Sequence, residues 1–191
     1  MICLIRHGQT DWNYLGKLQG KTDIPLNQVG IKQASQCRDY FKGGDWDLII
    51  ASPLERAKRT AEIINQGLGI DLVLMEDFKE RSFGDAEGLT LEERNEQYPD
   101  GNYPGMETRS ALTDRVMGGM EKINLTYPNK KILLVAHGAV INAILSVMSD
   151  GEIGVGKTQL LNACISNVQY MEEKWKIHNY NQVGHLNQIK E

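Results

Sequence analysis

Two histidines and two arginines in this chain stand where they could hold and attack a phosphoryl group. Arg6-His7-Gly8 follows the apolar run Ile2-Cys3-Leu4-Ile5, Arg56 follows Ser52-Pro53, and His137-Gly138 follows Lys131 to Ala136. Arginine presents a planar fork of N–H donors that matches phosphate oxygens, and a neutral imidazole is a nucleophile. Helix N-termini after Ser52 and Gly138 would add backbone N–H groups and a favourable dipole.

That chemistry requires elements that bring the three segments to one edge. Residues 2–6, 47–51 and 131–136 read as short buried strands, and residues 71–75 suit a further one. Helices are predicted from Asn27, as cap, to about Phe41, at Leu91–Gln97, at Thr108–Tyr127 and at Ala139–Met148. Another is predicted from Ser52 to about Gln66, with Ser52 as N-cap and Pro53 at the first position. Residues 7–26, with Gly8, Gly16, Gly20 and Pro25, read as a long loop, and residues 79–105 are largely irregular. Strands at Cys164–Met171 and Trp175–Tyr180 would form a hairpin through Glu172-Glu173-Lys174. Strands alternating with helices predict an α/β fold. Its mainly parallel central sheet is covered on both faces, making a three-layer α/β/α sandwich. No repeat or linker divides the chain, so residues 1–191 read as a single domain. In such sheets ligands bind beyond the carboxyl ends of the strands, where Arg6, His7 and His137 fall.

Composition narrows the partners. Hydrophobic residues make up 41% of the 191 residues and charged ones 24%, enough for a core and against disorder. The net charge of −4 argues against nucleic acid as a partner, so a phosphate site must be basic locally. No segment has the length or pattern of a secretory leader or a membrane span, and a cytoplasmic location is expected. Cys3, Cys37 and Cys164 are odd in number and far apart, fit no zinc or redox spacing, and read as inert thiols in a reducing compartment.

Four ordered blocks resemble the histidine phosphatase (phosphoglycerate mutase-like) superfamily. They are Arg6-His7-Gly8-Gln9-Thr10-Asp11-Trp12-Asn13 with Gln19-Gly20, then Ser52-Pro53-Leu54-Glu55-Arg56-Ala57 with Thr60-Ala61. Glu80-Arg81-Ser82-Phe83-Gly84 with Glu87-Gly88 and Val135-Ala136-His137-Gly138 complete the set. The resemblance implies a phosphoglycerate mutase-like fold and assigns roles. His7 would become phosphohistidine. Arg6, Arg56 and His137 would hold the phosphoryl oxygens, His137 best as imidazolium. Asn13, Gln19, Gly20, Arg81 and Gly138 would complete the substrate pocket. Glu80 would protonate the leaving oxygen and then activate water, which asks for a carboxyl pKa raised by burial. No metal or other cofactor is implied. The chain departs from the pattern at Ala86, where members often carry tryptophan.

Some alternatives stay open at this level. Lys58 or Arg59 could replace Arg56 as ligand, and Glu87 could replace Glu80. His178 and His185 read as non-catalytic. Gly151-Glu152-Ile153-Gly154-Val155-Gly156-Lys157-Thr158 matches a nucleotide-binding P-loop, but that motif needs a strand before it and a helix after it. The pattern here places a helix before and strands after, which favours a plain glycine-rich connection. The same phosphohistidine chemistry serves a mutase. However, the segment Gly88–Thr108 is short, with Arg94 its one arginine and no lysine, leaving little basic surface for a second phosphate. A phosphatase acting on a small phosphorylated metabolite is therefore expected, its organic part touching Tyr14–Leu18 and Leu89–Thr108. An edge strand near 175–180 would allow a homodimer.

Overall fold

The strands carry the side-chain alternation that buries a sheet on both faces. In the computed structural model, which describes residues 1–186, strand β1 (Ile2–Arg6) turns Ile2 and Leu4 to one core and Cys3 and Ile5 to the other. Residues 187–191 of the expected single domain lie outside the described residues. The elements that follow are helix α1 (Asp11–Tyr14), α2 (Gln28–Phe41), strand β2 (Leu48–Ala51), α3 (Glu55–Asn65) and β3 (Leu72–Leu74). After them come α4 (Leu91–Gln97), α5 (Arg109–Thr126), β4 (Ile132–Ala136), α6 (Gly138–Met148), β5 (Ile165–Met171) and β6 (Lys174–Gln182). Short 3-10 turns at Glu76–Phe78 and Gly84–Ala86 punctuate the irregular stretch.

One six-stranded sheet has the order β3-β2-β4-β1-β5-β6. Strands β3, β2, β4 and β1 run parallel, while β5 runs antiparallel to β1 and β6 antiparallel to β5. Helices α5 and α6 cover one face through Leu112, Val116, Met120, Ile141 and Ile144. Helices α2 and α3 cover the other through Cys37, Phe41, Ala57, Ala61 and Ile64. The result is the three-layer, mainly parallel sandwich read from the sequence. All three cysteines are buried free thiols, and burial pushes Cys37 up to about 12 and Cys164 up to about 11.

Several local features differ from the sequence reading. The segment 7–26 is not all loop, because Thr10 and Asn13 close a reciprocal capping box that starts α1. Ser52 is not a helix cap: α3 begins three residues later, its cap position is Leu54, and no side chain caps it. The β5–β6 turn is tighter than expected, with Glu172 and Glu173 alone at its tip at φ 53° and 59° and Lys174 already in β6. Two successive positive φ values give the twist that two-residue hairpins favour. By contrast, Asn27 caps α2 by accepting the Gly30 N–H at 2.9 Å, as expected.

The P-loop reading fails on both flanks. Helix α6 precedes Gly151–Thr158, turns fill residues 150–157, and β5 rather than a helix follows. Lys157 gives its ammonium to the Gly151 carbonyl at 2.6 Å, and Thr158 Oγ1 accepts from the Gly154 N–H at 3.2 Å. The loop satisfies itself instead of cradling a phosphate.

Candidate active site

Strand β1 sits between β4 and β5, so the residue at its carboxyl end is held from both sides. The His7 N–H donates to Ala136 O at 3.0 Å, and the His7 carbonyl accepts from Ala163 N at 3.2 Å and Asn162 Nδ2 at 3.1 Å. The His7 ring is buried, and its Nδ1 lies 2.7 Å from the Gly8 carbonyl. A carbonyl accepts only, so Nδ1 carries the proton and Nε2 keeps a free lone pair. Burial, then the charges of Arg56 and Arg6, hold the His7 pKa well below the usual histidine value. The ring is therefore neutral at pH 7, as a nucleophile must be.

Around it stand three polar atoms with no partner among the described residues. Arg6 donates Nη1 to Leu160 O, and Arg56 donates Nη1 to Thr22 O at 2.9 Å and Nη2 to Gly20 O at 2.6 Å. The Nε atoms of both guanidiniums are buried and unpaired, and so is Nδ1 of His137. Buried donors rarely go unsatisfied in proteins, and each such group marks a ligand, an ion or a strained site. Glu80 is the nearby carboxylate for both cations, yet among the described residues neither forms an ion pair with it, and two such buried cations suit a bound anion. The rings of His7 and His137 lie 5.2 Å apart between centroids. His137 Nε2 lies 2.7 Å from the Ser52 hydroxyl, which also accepts from the Leu54 N–H at 3.3 Å. If Ser52 donates to Nε2, the His137 proton sits on Nδ1 and points a donor at the same place. Burial first, then Arg56 and His7, keeps the His137 pKa well below the usual value as well. Both shifts favour the neutral imidazoles in the unliganded protein.

Glu80 flanks the group and is largely buried. Its Oε1 accepts from Arg81 N at 2.9 Å and its Oε2 from Ala139 N, in the first turn of α6, at 3.2 Å. Gly138 completes the approach: a Cβ there would stand 3.7 Å from Arg6 Nε and 4.0 Å from Glu80 Oε2. The competing carboxylate is committed elsewhere. Glu87 accepts from the N–H groups of Lys21, Thr22 and Phe83 and from the Thr22 hydroxyl, which ties the 20–22 turn in place. Gly20 itself has φ +56° and its absent Cβ would collide with Glu87. Lys58 and Arg59 point away and pair with Glu62, leaving Arg56 as the buried arginine of α3.

The remaining expected residues gather at the same edge. Asn13 Oδ1 accepts from Thr10 N and from Asn162 Nδ2, at 3.1 and 3.2 Å. Gln19 is buried and its Oε1 accepts from Thr10 Oγ1 at 2.8 Å. Arg81 donates Nε to Glu107 O at 2.8 Å and lies over the Phe83 ring at 5.2 Å. His178 pairs with Gln169, and His185 contacts Cys37 and Ala163 O, so neither enters the group. Four contributors went unassigned from sequence. Ser52 contacts His137, and Thr60 accepts from Gly8 N at 3.1 Å. Asn162 bridges His7 and Asn13, and Arg109 stands beside Arg81 across one cavity. Thr60 lay inside a recognised block, whereas no local pattern marks Asn162.

The chain matches the histidine phosphatase superfamily (branch 1) over residues 2–183. It is 57% identical over 185 residues to the uncharacterized phosphatase PhoE of Bacillus subtilis (strain 168), covering 97% of this chain and 96% of that one. It is 32% identical to a metal-independent phosphoserine phosphatase of Arabidopsis thaliana, covering 98% of this chain and 84% of the other. Among solved structures, Bacillus stearothermophilus YhfR superposes with a TM-score of 0.91 at 22% identity, covering 97% and 98% of the two chains. That likeness establishes the fold.

Proposed function

The chain belongs to the histidine phosphatase superfamily, and we propose that it is a metal-independent phosphomonoesterase that hydrolyses small organic phosphates through phosphohistidine on His7. The observation that carries this reading is the convergence of three unpaired buried atoms, Arg6 Nε, Arg56 Nε and His137 Nδ1, beside a neutral imidazole. The phosphatase names of the relatives support hydrolysis.

In the first step His7 Nε2 attacks phosphorus and the bond to the ester oxygen breaks. Glu80 gives its proton to that oxygen, and the alcohol departs. In the second step a water attacks the phosphohistidine, Glu80 takes the water's proton, the P–N bond breaks, and phosphate leaves. Arg6, Arg56 and His137 hold the non-bridging oxygens, whose charge grows toward each transition state. The Gly8 carbonyl keeps the His7 proton on Nδ1 throughout, and a bound anion draws His137 toward the imidazolium form. Asn13 and Gln19 line the phosphate end, Gly20 orients Arg56 through its carbonyl, and Gly138 leaves room beside Glu80.

The test is phosphate release from a panel of phosphomonoesters in EDTA, for wild type and His7→Ala. Turnover by wild type and none by His7→Ala is the expected result. Activity that survives His7→Ala, or that EDTA removes, overturns the reading. A mutase rate on 3-phosphoglycerate exceeding hydrolysis would assign the site to phosphate transfer between hydroxyls.

A further inference from the structure

Glu80 lies in the irregular stretch between β3 and α4, where neither a ladder nor a helix fixes the backbone. Proton transfer nevertheless needs its carboxylate closely placed. The stretch is held from α5 instead. Arg115, Gly119 and Lys122, four and three residues apart, share one face of that helix. Gly119 lets the stretch come close, since a Cβ there would stand 2.7 Å from Asp77 Cβ and 2.9 Å from Phe78 Cζ. Phe78 is fully buried in the core that α5 and α6 share, and Lys122 Nζ donates to Asp77 Oδ1 at 2.7 Å.

Arg115 reaches further than this seat. Its Nη1 donates to the carbonyls of Asp77 and Lys79, both at 2.8 Å. Its Nε and Nη2 fork onto the Glu107 carboxylate at 3.0 and 2.8 Å. Both side chains are largely buried, 23% and 15% exposed. Burial would raise the Glu107 carboxyl, but the fork outweighs it and holds the group below its usual range. Glu107 in turn grips the chain on the other side of Glu80. Its N–H donates to Ser82 O at 2.9 Å, and its carbonyl accepts from Arg81 Nε at 2.8 Å. One guanidinium thus joins the backbone before Glu80 to the segment that holds the backbone after it. A rigid planar fork of N–H donors can make such a junction, and a compact ammonium cannot. None of the Arg115 hydrogen bonds goes to Arg6, His7, Arg56 or His137.

We infer that Arg115 is a positioning residue that, through Lys79 and Glu107, sets where the Glu80 carboxylate stands against Ala139 N and the leaving oxygen. This rests on the hydrolase reading, in which Glu80 is the acid. Losing Arg115 should therefore displace the proton donor and leave the phosphate-binding group as it is.

The experiment uses the full chain with Arg115→Gln, Arg115→Lys, Glu80→Gln and the double variant Glu80→Gln/Arg115→Gln, each below its unfolding temperature. On the alkyl phosphate that wild type turns over best, Arg115→Gln should lower kcat about ten- to a hundredfold with KM nearly unchanged, the scale of a small misplacement. The initial burst of nitrophenolate from p-nitrophenyl phosphate needs no proton on the leaving group, so its rate should stay within about twofold. Inhibition by inorganic phosphate should stay as in wild type. Arg115→Lys keeps the charge, loses the fork and should fall between. In the Glu80→Gln background, Arg115→Gln should cost little more, because both changes remove one function. An equal loss in the nitrophenolate burst, weaker phosphate inhibition, additive losses in the double variant, or no loss at all overturns the role. If Arg115→Gln does not fold, Arg115→Lys and Glu107→Gln carry the same comparison. No turnover by wild type on any ester removes the hydrolase reading and this role with it. Failure of the variant pattern alone leaves hydrolysis standing.

Discussion

The Ser52 hydroxyl lies 2.7 Å from Nε2 of His137 and is the one partner that imidazole has among the described residues. A hydroxyl fixed by the Leu54 N–H on one side has its proton free for Nε2 on the other. The contact leaves the His137 proton on Nδ1, the nitrogen without a partner among the described residues. Ser52→Ala should lower kcat by about tenfold, the scale of one lost hydrogen bond to a group that becomes charged. Ser52→Thr, which keeps the hydroxyl, should restore most of it. Equal losses in both variants would show a packing role instead.

Glu80→Gln separates proton donation from phosphate binding. Alkyl phosphates, whose leaving oxygen needs a proton, should lose about 10²- to 10⁴-fold in kcat. p-Nitrophenyl phosphate, with a stable leaving anion, should lose far less in the first step. Stopped-flow measurement of nitrophenolate release against steady-state phosphate release would show a burst as the phosphohistidine accumulates. A uniform loss across leaving groups would remove Glu80 from the acid role.

The two buried histidines make stability depend on pH. Their folded pKa values are depressed, chiefly by burial, while the unfolded chain takes up protons near about pH 6.5. Below that value the unfolded state binds protons that the folded state refuses, so stability is fully present above it and drains away as pH falls. Each histidine contributes up to about 1.4 kcal/mol per pH unit in that window. Urea denaturation at pH 7.5, 6.5 and 5.5 should show the decline, and His137→Gln should flatten it. Imidazole NMR signals of both residues should stay neutral at pH 6 without ligand, and inorganic phosphate should move His137 toward the charged form.

Two glycines hold the loop after His7 against α2 with no side chain between them. A Cβ on Gly8 would sit 2.4 Å from Gly30 O, and one on Gly30 would sit 2.1 Å from Gln9 O. Backbone cannot yield there as a flexible side chain can. Gly30→Ala should cost about 1–3 kcal/mol in denaturant titration and lower activity by displacing His7, although Gly30 touches no reacting group. An unchanged midpoint would mean the loop has slack that the structure does not show.

What could be read from sequence was what is local. Asn27 before a helical run and the buried strand before His137 act through their own neighbours, and the structure keeps both. Ser52 was misread because serine before proline carries the signature of a helix cap, while its hydroxyl goes to a histidine 85 residues away. Asn162 was invisible for the same reason, since its bonds to His7 and Asn13 span more than 140 residues. Arg109 escaped because the segment expected to touch the organic part stops at Thr108, whereas the first residue of α5 lines a cavity together with Arg81. The apparent P-loop was resolved by its flanking elements, which are a property of order along the chain.

The placement of β1 has a consequence in time. This strand is synthesised before both of its neighbours, β4, in register from Ile132, and β5, in register from Ile165. Asn162 and Ala163, which hold the His7 carbonyl, emerge almost as late. Contacts so distant along the chain form slowly. The nascent chain therefore carries His7 long before the residues that hold its carbonyl, and the group around His7 stays incomplete until that segment is out. A chain stalled before residue 160 can pair β1 with β4 on one side but leaves its other edge open until β5 arrives.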